Sequence, residues 1–311
     1  MKKLITLIIA TVCIVSLVAC SEKTEHTSDV VVTTQTTETE DGIGTEESTE
    51  INVPTIEATM SKPAEIMDVS ETEKSFTFYR EDYKISGKVY FPEGEGPFPT
   101  VIISSGAGVT YTYSEGYAKE FVKEGIACVV FNYARYKEAT ILTNVADLYI
   151  VMDGVQSMPK IDQSNLFLWG HSYGGLTTTY VATQRAEEVK GMILLEPSYQ
   201  LNAWADEMEG EEIPDTAGVT DAYVKDLSAF DIFELIPNYT RPVVVFNGNA
   251  AAGLQEERDK FMAELMKGVE LFPSAELITI DGANHSFSGE AQAPLMEKAI
   301  EFVKQNIDNN Q

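Results

Sequence analysis

The stretch LFLWGHSYGG, residues 166–175, ends a run of strand-forming apolar residues on a serine set among glycines. Gly170-His171-Ser172-Tyr173-Gly174 fits the pattern G-x-S-x-G. In that pattern the chain turns so tightly from strand into helix that the serine is strained outward, and the glycines keep the turn clear of neighbouring backbone. Ser172 is therefore a candidate nucleophile for acyl transfer. The same five residues also fit a plain strand-turn-helix connection, because glycine and serine are common, so the rest of the chain must decide.

A serine hydroxyl is a poor nucleophile at neutral pH and needs a base within hydrogen-bond reach, with a third group to orient that base. The chain has three histidines, His26, His171 and His285. His26 lies in a polar N-terminal tract, and His171 adjoins the serine but points off the turn in the opposite sense. His285, in DGANHSF, follows a strand near the C-terminus. No cluster of Cys, His or paired carboxylates has metal-ligand spacing, and no internal repeat is present.

Regular alternation of strand and helix patterns from about residue 75 positions these residues. KSFTFYR, YKISGKVYFP, PTVIISSGAG, IACVVFNY, NLFLWG, VKGMILLEP, RPVVVFNGN and AELITIDG read as strands. EGYAKEFVKEG, TNVADLYIVMDGVQSM, the segment after Ser172, LQEERDKFMAELMKG and APLMEKAIEFVKQNI read as helices. Val145, Leu148, Met152 and Val155 share helical spacing, and Leu295, Ala299, Phe302, Val303 and Ile307 form one stripe. Continuous apolar strands alternating with such helices predict an α/β fold with a mostly parallel central sheet covered on both faces. Residues 199–238, with Trp204 and acidic turns, break the rhythm and are expected to form a small inserted cap.

The N-terminus bears on location. Lys2 and Lys3 precede an apolar run ending Leu17-Val18-Ala19-Cys20. That layout is a secretory signal, and its end resembles the lipobox of bacterial lipoproteins. Residues 1–19 would leave as signal peptide, and Cys20 would carry lipid and anchor the protein to a membrane outside the cytoplasm. Residues 20–65, rich in Thr, Glu and Ser, are expected to be a disordered acidic tether, and 66–311 the folded body. Of the three cysteines, Cys13 would leave with the signal and Cys20 would take lipid, so only Cys128 would stay a thiol, on an expected buried strand. A body of about 250 residues can build a core without disulfides. The net charge of −27 argues against nucleic acid as a partner.

Four motifs in order, GKVYFPEGEGPFPTVIISSGAG, NLFLWGHSYGG, FDIFELIPNYTRPVVVFNGN and ITIDGANHSF, make the chain from about Phe76 to Ile307 resemble an α/β-hydrolase. It is most similar to the dienelactone-hydrolase-like and cinnamoyl (feruloyl) esterase-like branch. The resemblance implies Ser172 as nucleophile, His285 as its base, and backbone N–H groups of Tyr173 and Ala107 as the oxyanion hole. Ser105 stands where relatives commonly have histidine, which leaves a backbone donor intact. Relatives usually carry the triad acid in Gly-x-x-Asp after the strand matching RPVVVFNGN, but here Gly248-Asn249-Ala250-Ala251 ends in alanine.

The acid is instead expected at Glu196. In an open parallel sheet the site lies outside the carboxyl ends of the strands, and any nearby strand end can supply a carboxylate. Leu195-Glu196-Pro197 resembles the Leu-Asp-Pro of lipases whose acid follows this strand, and the order Ser172, Glu196, His285 is preserved. Glu256, Glu257 and Asp259 are the alternatives. The resemblance implies a hydrolase of carboxylic esters acting on a small-molecule substrate, with no metal or organic cofactor. Tyr111, Tyr113, Tyr199 and Trp204 are candidates to line an acyl pocket. A binding protein that has lost catalysis, or an acyltransferase or peptidase, would use the same fold.

Overall fold

The computed structural model describes residues 54, 56, 58–134, 140–203, 221–250 and 255–308. The signal segment, Cys20 and the tether as far as residue 53 lie outside the described residues, as do Trp204 and Ala251.

Nine strands form one sheet: β1 (Glu65–Asp68), β2 (Glu73–Arg80), β3 (Tyr83–Tyr90), β4 (Phe98–Ser104), β5 (Ala127–Asn132), β6 (Ile161–His171), β7 (Gly191–Leu195), β8 (Val243–Gly248) and β9 (Ala275–Ile280). Their order is β1-β2-β3-β5-β4-β6-β7-β8-β9. The first three strands, and β3 on β5, pair antiparallel, and every pairing from β5 through β4 to β9 is parallel. Helices α1 (Glu115–Lys123), α2 (Ile141–Gln156), α3 (Tyr173–Gln184), α7 (Gln255–Leu271) and α8 (Gln292–Asn306) cover it. Short helices α4 (Tyr199–Ala203), α5 (Asp221–Leu227) and α6 (Ile232–Leu235) lie in the insertion. No helix among the described residues is long and apolar enough to cross a membrane.

The central strands are apolar on both sides because each face has its own helical layer. Leu166 and Leu168 join the cluster that holds α2 and α3, while Phe167 and Trp169 join the one that holds α1 and α8. This period of two divides a continuous apolar run between two cores. Trp169 is 1% exposed and packs edge-on to Phe121, with ring centroids 5.8 Å apart. Burying each such side chain contributes about 1.5–3 kcal/mol.

Helix α2 differs from the amphipathic helix that its spacing suggested. Its residues from Ile141 to Met152 are all buried, since β2, α3 and α5 pack around it together with the sheet. It starts in a capping box, with the Thr140 hydroxyl accepting from Thr143 N–H at 3.2 Å. It also supplies Asp147, whose carboxylate accepts from Arg80 Nε and Ala134 N–H, each at 2.7 Å. That buried pair ties α2 to the end of β2 and to the chain leaving β5.

The packed body extends N-terminal of residue 66. Ala58 lies in the core, Ile56 and Met60 pack against it, and the Tyr180 hydroxyl donates to the Pro54 carbonyl at 2.8 Å. These apolar residues fall within the expected tether, and α3 holds the first of the described ones, Pro54, through Tyr180. Strand β1, also unannounced, has four exposed residues and pairs only with β2. The described parts of the insertion are rooted in the core. Asn202 Nδ2 donates to the Leu227 and Phe230 carbonyls at 2.8 Å, and its Oδ1 accepts from Ile232 N–H at 2.8 Å.

Candidate active site

Ser172 sits between β6 and α3 with φ 54° and ψ −117°, a left-handed φ that side chains other than glycine rarely adopt. The conformation is held from both sides. Ser172 N–H donates to the Leu195 carbonyl at 2.8 Å, extending the β6–β7 ladder by one rung, and its carbonyl accepts from Gly175 N–H at 2.9 Å and Ser198 N–H at 3.0 Å. The flanking glycines are steric requirements. A Cβ on Gly170 would stand 2.6 Å from the Gly174 carbonyl oxygen, and one on Gly174 would stand 2.3 Å from the Ser104 carbonyl oxygen. The turn therefore closes only with bare Cα atoms on either side of the serine.

Glu196, one residue beyond β7, repeats the device with φ 39°. Its N–H donates to the Phe246 carbonyl at 2.9 Å, so the end of β7 is pinned to β8 as the end of β6 is pinned to β7. Four non-glycine residues among those described have positive φ: Glu81 in the β2–β3 turn, and Ser172, Glu196 and Phe287. The last three all lie in loops at the carboxyl edge of the sheet. Each such conformation costs about 1–3 kcal/mol, and such strain gathers where side chains must be aimed.

His285 is aimed by the loop after β9. Asn249 accepts from Gly282 N–H at 2.7 Å and donates to Asp281 at 2.8 Å, and Ala250 N–H donates to the Ala283 carbonyl at 2.9 Å. The segment that usually supplies the acid thus serves here as a staple for the histidine loop. His285 Nδ1 meets Glu196 Oε2 at 2.6 Å. The other carboxylate oxygen, Oε1, accepts from Gly248 N–H and Arg258 Nη2, each at 2.9 Å. Arg258 also donates to the Gly248 carbonyl. The Glu196 carboxylate has no exposed surface. Burial pushes its pKa up, but the hydrogen bond and charge of His285, and then those of Arg258, more than offset this and bring it down to about 2. It is an anion at neutral pH.

His285 Nε2, the nitrogen opposite the carboxylate, is buried and has no hydrogen-bond partner among the described residues. Ser172 Oγ instead lies 3.2 Å from Ser198 Oγ. The structure thus brings Glu196 and His285 into contact and Ser172 to the same sheet edge, with the serine turned toward a neighbouring hydroxyl. His171 bridges the two loops. Its Nε2 lies 2.7 Å from the His285 carbonyl oxygen, and the two imidazole rings are 5.0 Å apart. Burial, then the nearby His285, pull its pKa down to about 4, so it is neutral and donates through Nε2–H.

Tyr173 opens α3, and the loop Ser105–Gly108 passes over the serine, with a Cβ on Gly106 falling 3.4 Å from Ser172 Cβ. Ala107 is half-buried in that loop. Ser105, in the place of the usual histidine, turns its hydroxyl to Ser114 Oγ at 3.2 Å.

The alternative acids lie elsewhere. Asp259 accepts from Gln255 at 2.7 Å and Glu256 pairs with Lys260 at 3.5 Å, both on an exposed face of α7, while the Glu257 side chain is outside the described residues. Tyr199 is a core residue, not a pocket wall. It is fully buried, with its hydroxyl 2.8 Å from Thr179 Oγ1. Arg258 and Ser198 escaped the sequence reading. Arg258 sits in the charge-rich run QEERDKFMAE, and Ser198 two residues beyond Glu196 in a tract without a motif. Among the described residues no group of three His, Cys, Asp or Glu could hold a metal ion.

The sheet and its coverings match known α/β-hydrolases. Est1E from Butyrivibrio proteoclasticus superposes with a TM-score of 0.63 at 17% identity, covering 75% of this chain and 98% of its own. Dienelactone hydrolase from Anabaena variabilis ATCC 29413 does so at 0.56 and 15%, covering 76% and 98%. Identities this low show the α/β-hydrolase fold. In sequence, the quorum-quenching protein AidA of Acinetobacter baumannii (strain MDR-ZJ06) is 30% identical over 107 residues. That match covers 32% of this chain and 35% of AidA, so the chain spans about a third of that relative's length. Residues 133–310, more than half of the chain, match the prolyl oligopeptidase family. That span contains Ser172, Glu196, Arg258 and His285, so this α/β-hydrolase belongs to the prolyl oligopeptidase family.

Proposed function

We propose that the protein is a serine hydrolase that cleaves carboxylic esters through an acyl-enzyme, with Ser172 as nucleophile, His285 as general base and acid, and Glu196 as the orienting carboxylate. The observation that carries this reading is the 2.6 Å contact between His285 Nδ1 and the buried Glu196 carboxylate, beside a serine strained to φ 54°. With Nδ1–H directed at Glu196, Nε2, the nitrogen without a partner among the described residues, is the one placed to accept a proton. Ser172 Oγ exchanges Ser198 for Nε2 as substrate enters, since such contacts tighten only in the complex.

Ser172 Oγ attacks the ester carbonyl as its proton passes to Nε2, and Glu196 stabilises the imidazolium that forms. The oxygen that becomes negative is held by the N–H groups of Tyr173 and Ala107, the former aided by the positive end of α3. As the C–O bond breaks, Nε2 returns the proton to the leaving alkoxide, leaving acyl-Ser172. Water then attacks, giving its proton to Nε2, and the tetrahedral intermediate collapses to the acid and free serine. Est1E, which has been solved with ferulic acid bound, and dienelactone hydrolase support the ester class. The family match favours a second reading, hydrolysis of peptide bonds.

The test is a fluorophosphonate probe and a panel of short acyl, hydroxycinnamoyl and proline-containing peptide substrates. Ser172 is expected to be labelled and to be required for ester turnover, and His285→Ala to abolish labelling or slow it greatly. Folded protein that takes no label would count against catalysis, and Ser172-dependent cleavage of the peptides alone would select the peptidase reading. We further propose that Cys20 carries lipid and tethers the enzyme to a membrane outside the cytoplasm. Labelling with a fatty acid that Cys20→Ser does not remove would refute the anchor.

A further inference from the structure

Arg258 lies near the start of α7, where Glu256, Asp259 and Lys260 are exposed, yet its guanidinium turns inward. Nη2 donates to Glu196 Oε1 at 2.9 Å and to the Gly248 carbonyl, and the side chain is 24% exposed. Glu196 is gripped from three elements: the loop after β9 through His285, the end of β8 through Gly248 N–H, and α7 through Arg258. A glutamate has one more rotatable bond than the aspartate usual in relatives, so its carboxylate needs more fixing to present one oxygen to a histidine. Gly248 N–H alone leaves Oε1 free to turn about that contact. The same helix also reaches the histidine. The Arg258 guanidinium lies 5.4 Å from the Phe261 ring centroid, and Phe261 stands edge-on to the His285 ring at 6.2 Å and 89°.

We infer that Arg258 is a positioning residue for the hydrolytic reaction: it locks the Glu196 carboxylate in the orientation that binds His285 Nδ1. This role rests on the Ser172–His285–Glu196 reading proposed above. Arg258 does not touch the reacting atoms and acts on the reaction through Glu196, so its effect should vanish when the carboxylate is removed, as that of a residue that merely stabilises the fold would not.

The experiment is a double-mutant cycle on the full chain, with Arg258→Met and Glu196→Gln alone and together. Ester turnover and the rate of fluorophosphonate labelling are followed, and thermal unfolding confirms that each variant is folded. Arg258→Met is expected to lower kcat about 10²-fold with KM little changed, the size expected when a catalytic group is displaced by about 1 Å. In the Glu196→Gln background the same change is expected to cost almost nothing, because the carboxylate it orients is gone. Arg258→Lys keeps the cation but not the fork that reaches Oε1 and the Gly248 carbonyl together. It should fall between wild type and Arg258→Met, and it supplies the same cycle if the methionine variant does not fold. Turnover that survives Ser172→Ala would remove the underlying triad reading. Ser172-dependent turnover that Arg258→Met leaves at the wild-type kcat, or lowers equally in both backgrounds, would overturn the role of Arg258 alone.

Discussion

His285 Nδ1 lies 2.6 Å from Oε2 of Glu196, a carboxylate with no exposed surface that stands one strand away from the serine in the sheet. The carboxylate that meets this histidine therefore comes from the end of β7, whereas the described residues at the end of β8 contribute backbone groups and the Asn249 staple. Glu196→Gln keeps the size of the side chain but replaces an anion that fixes one tautomer of His285. It is expected to lower kcat by about 10³–10⁴-fold, with the fold retained and KM little changed. Asp259→Asn and Glu256→Gln should stay near wild type, since both residues pair within an exposed face of α7. Steady-state kinetics on all three variants decide this, and a collapse confined to Asp259→Asn or Glu256→Gln would move the acid to α7.

Ser198 holds the hydroxyl of Ser172, the proposed nucleophile. Its hydroxyl is 3.2 Å from Ser172 Oγ and fully buried, while His285 Nε2 has no partner among the described residues. For Ser172 to react it must give up that contact, whose net worth is about 1 kcal/mol. Ser198→Ala removes the hydroxyl but keeps the N–H that binds the Ser172 carbonyl. Fluorophosphonate labelling should therefore quicken by about fivefold while stability falls by about 1 kcal/mol. Slower labelling would mean that the Ser198 hydroxyl assists the attack.

The parts of this site that were legible in sequence are those fixed by local constraints. Glycines at 170 and 174 are dictated by backbone contacts within a few residues or with one adjacent strand end, so the turn announces itself. Glu196 was readable because a strand end, a proline and chain order converge on it. Arg258 was not: nothing in QEERDKFMAE marks out the one guanidinium that reaches Glu196 and Gly248, and only the tertiary placement of α7 does so. The burial of Pro54 and Ala58, with Ile56 and Met60 packed beside them, was equally hidden. A few apolar residues in a Thr- and Glu-rich tract signal no core until α3 and the β2–β3 ladder are in place to receive them. The all-round burial of α2 likewise follows from its several tertiary neighbours and not from its own period.

His171 makes acid stability of the fold a reporter of the site. Its pKa falls from 6.5 to about 4 because burial, and then His285, disfavour its cation. In the unfolded chain the ring protonates at its ordinary value, so between about pH 6.5 and 4 the unfolded state binds a proton that the folded state refuses. The neutral histidine's contribution is complete above pH 6.5, declines as pH falls, and is lost below about pH 4, up to about 3 kcal/mol in all. Glu196, lowered from 4.5 to about 2, contributes in the same direction but in the window below, from about pH 4.5 down to 2. His171→Gln places an amide N–H where Nε2–H meets the His285 carbonyl and carries no proton that titrates. Its Tm should therefore be flatter than wild type between pH 6.5 and 4, by about 2–4 °C for each kcal/mol involved, and should fall alongside wild type below that. Calorimetric Tm measured across this range for both proteins checks the assignment. An equally steep decline in the glutamine variant would place the upper window on another group.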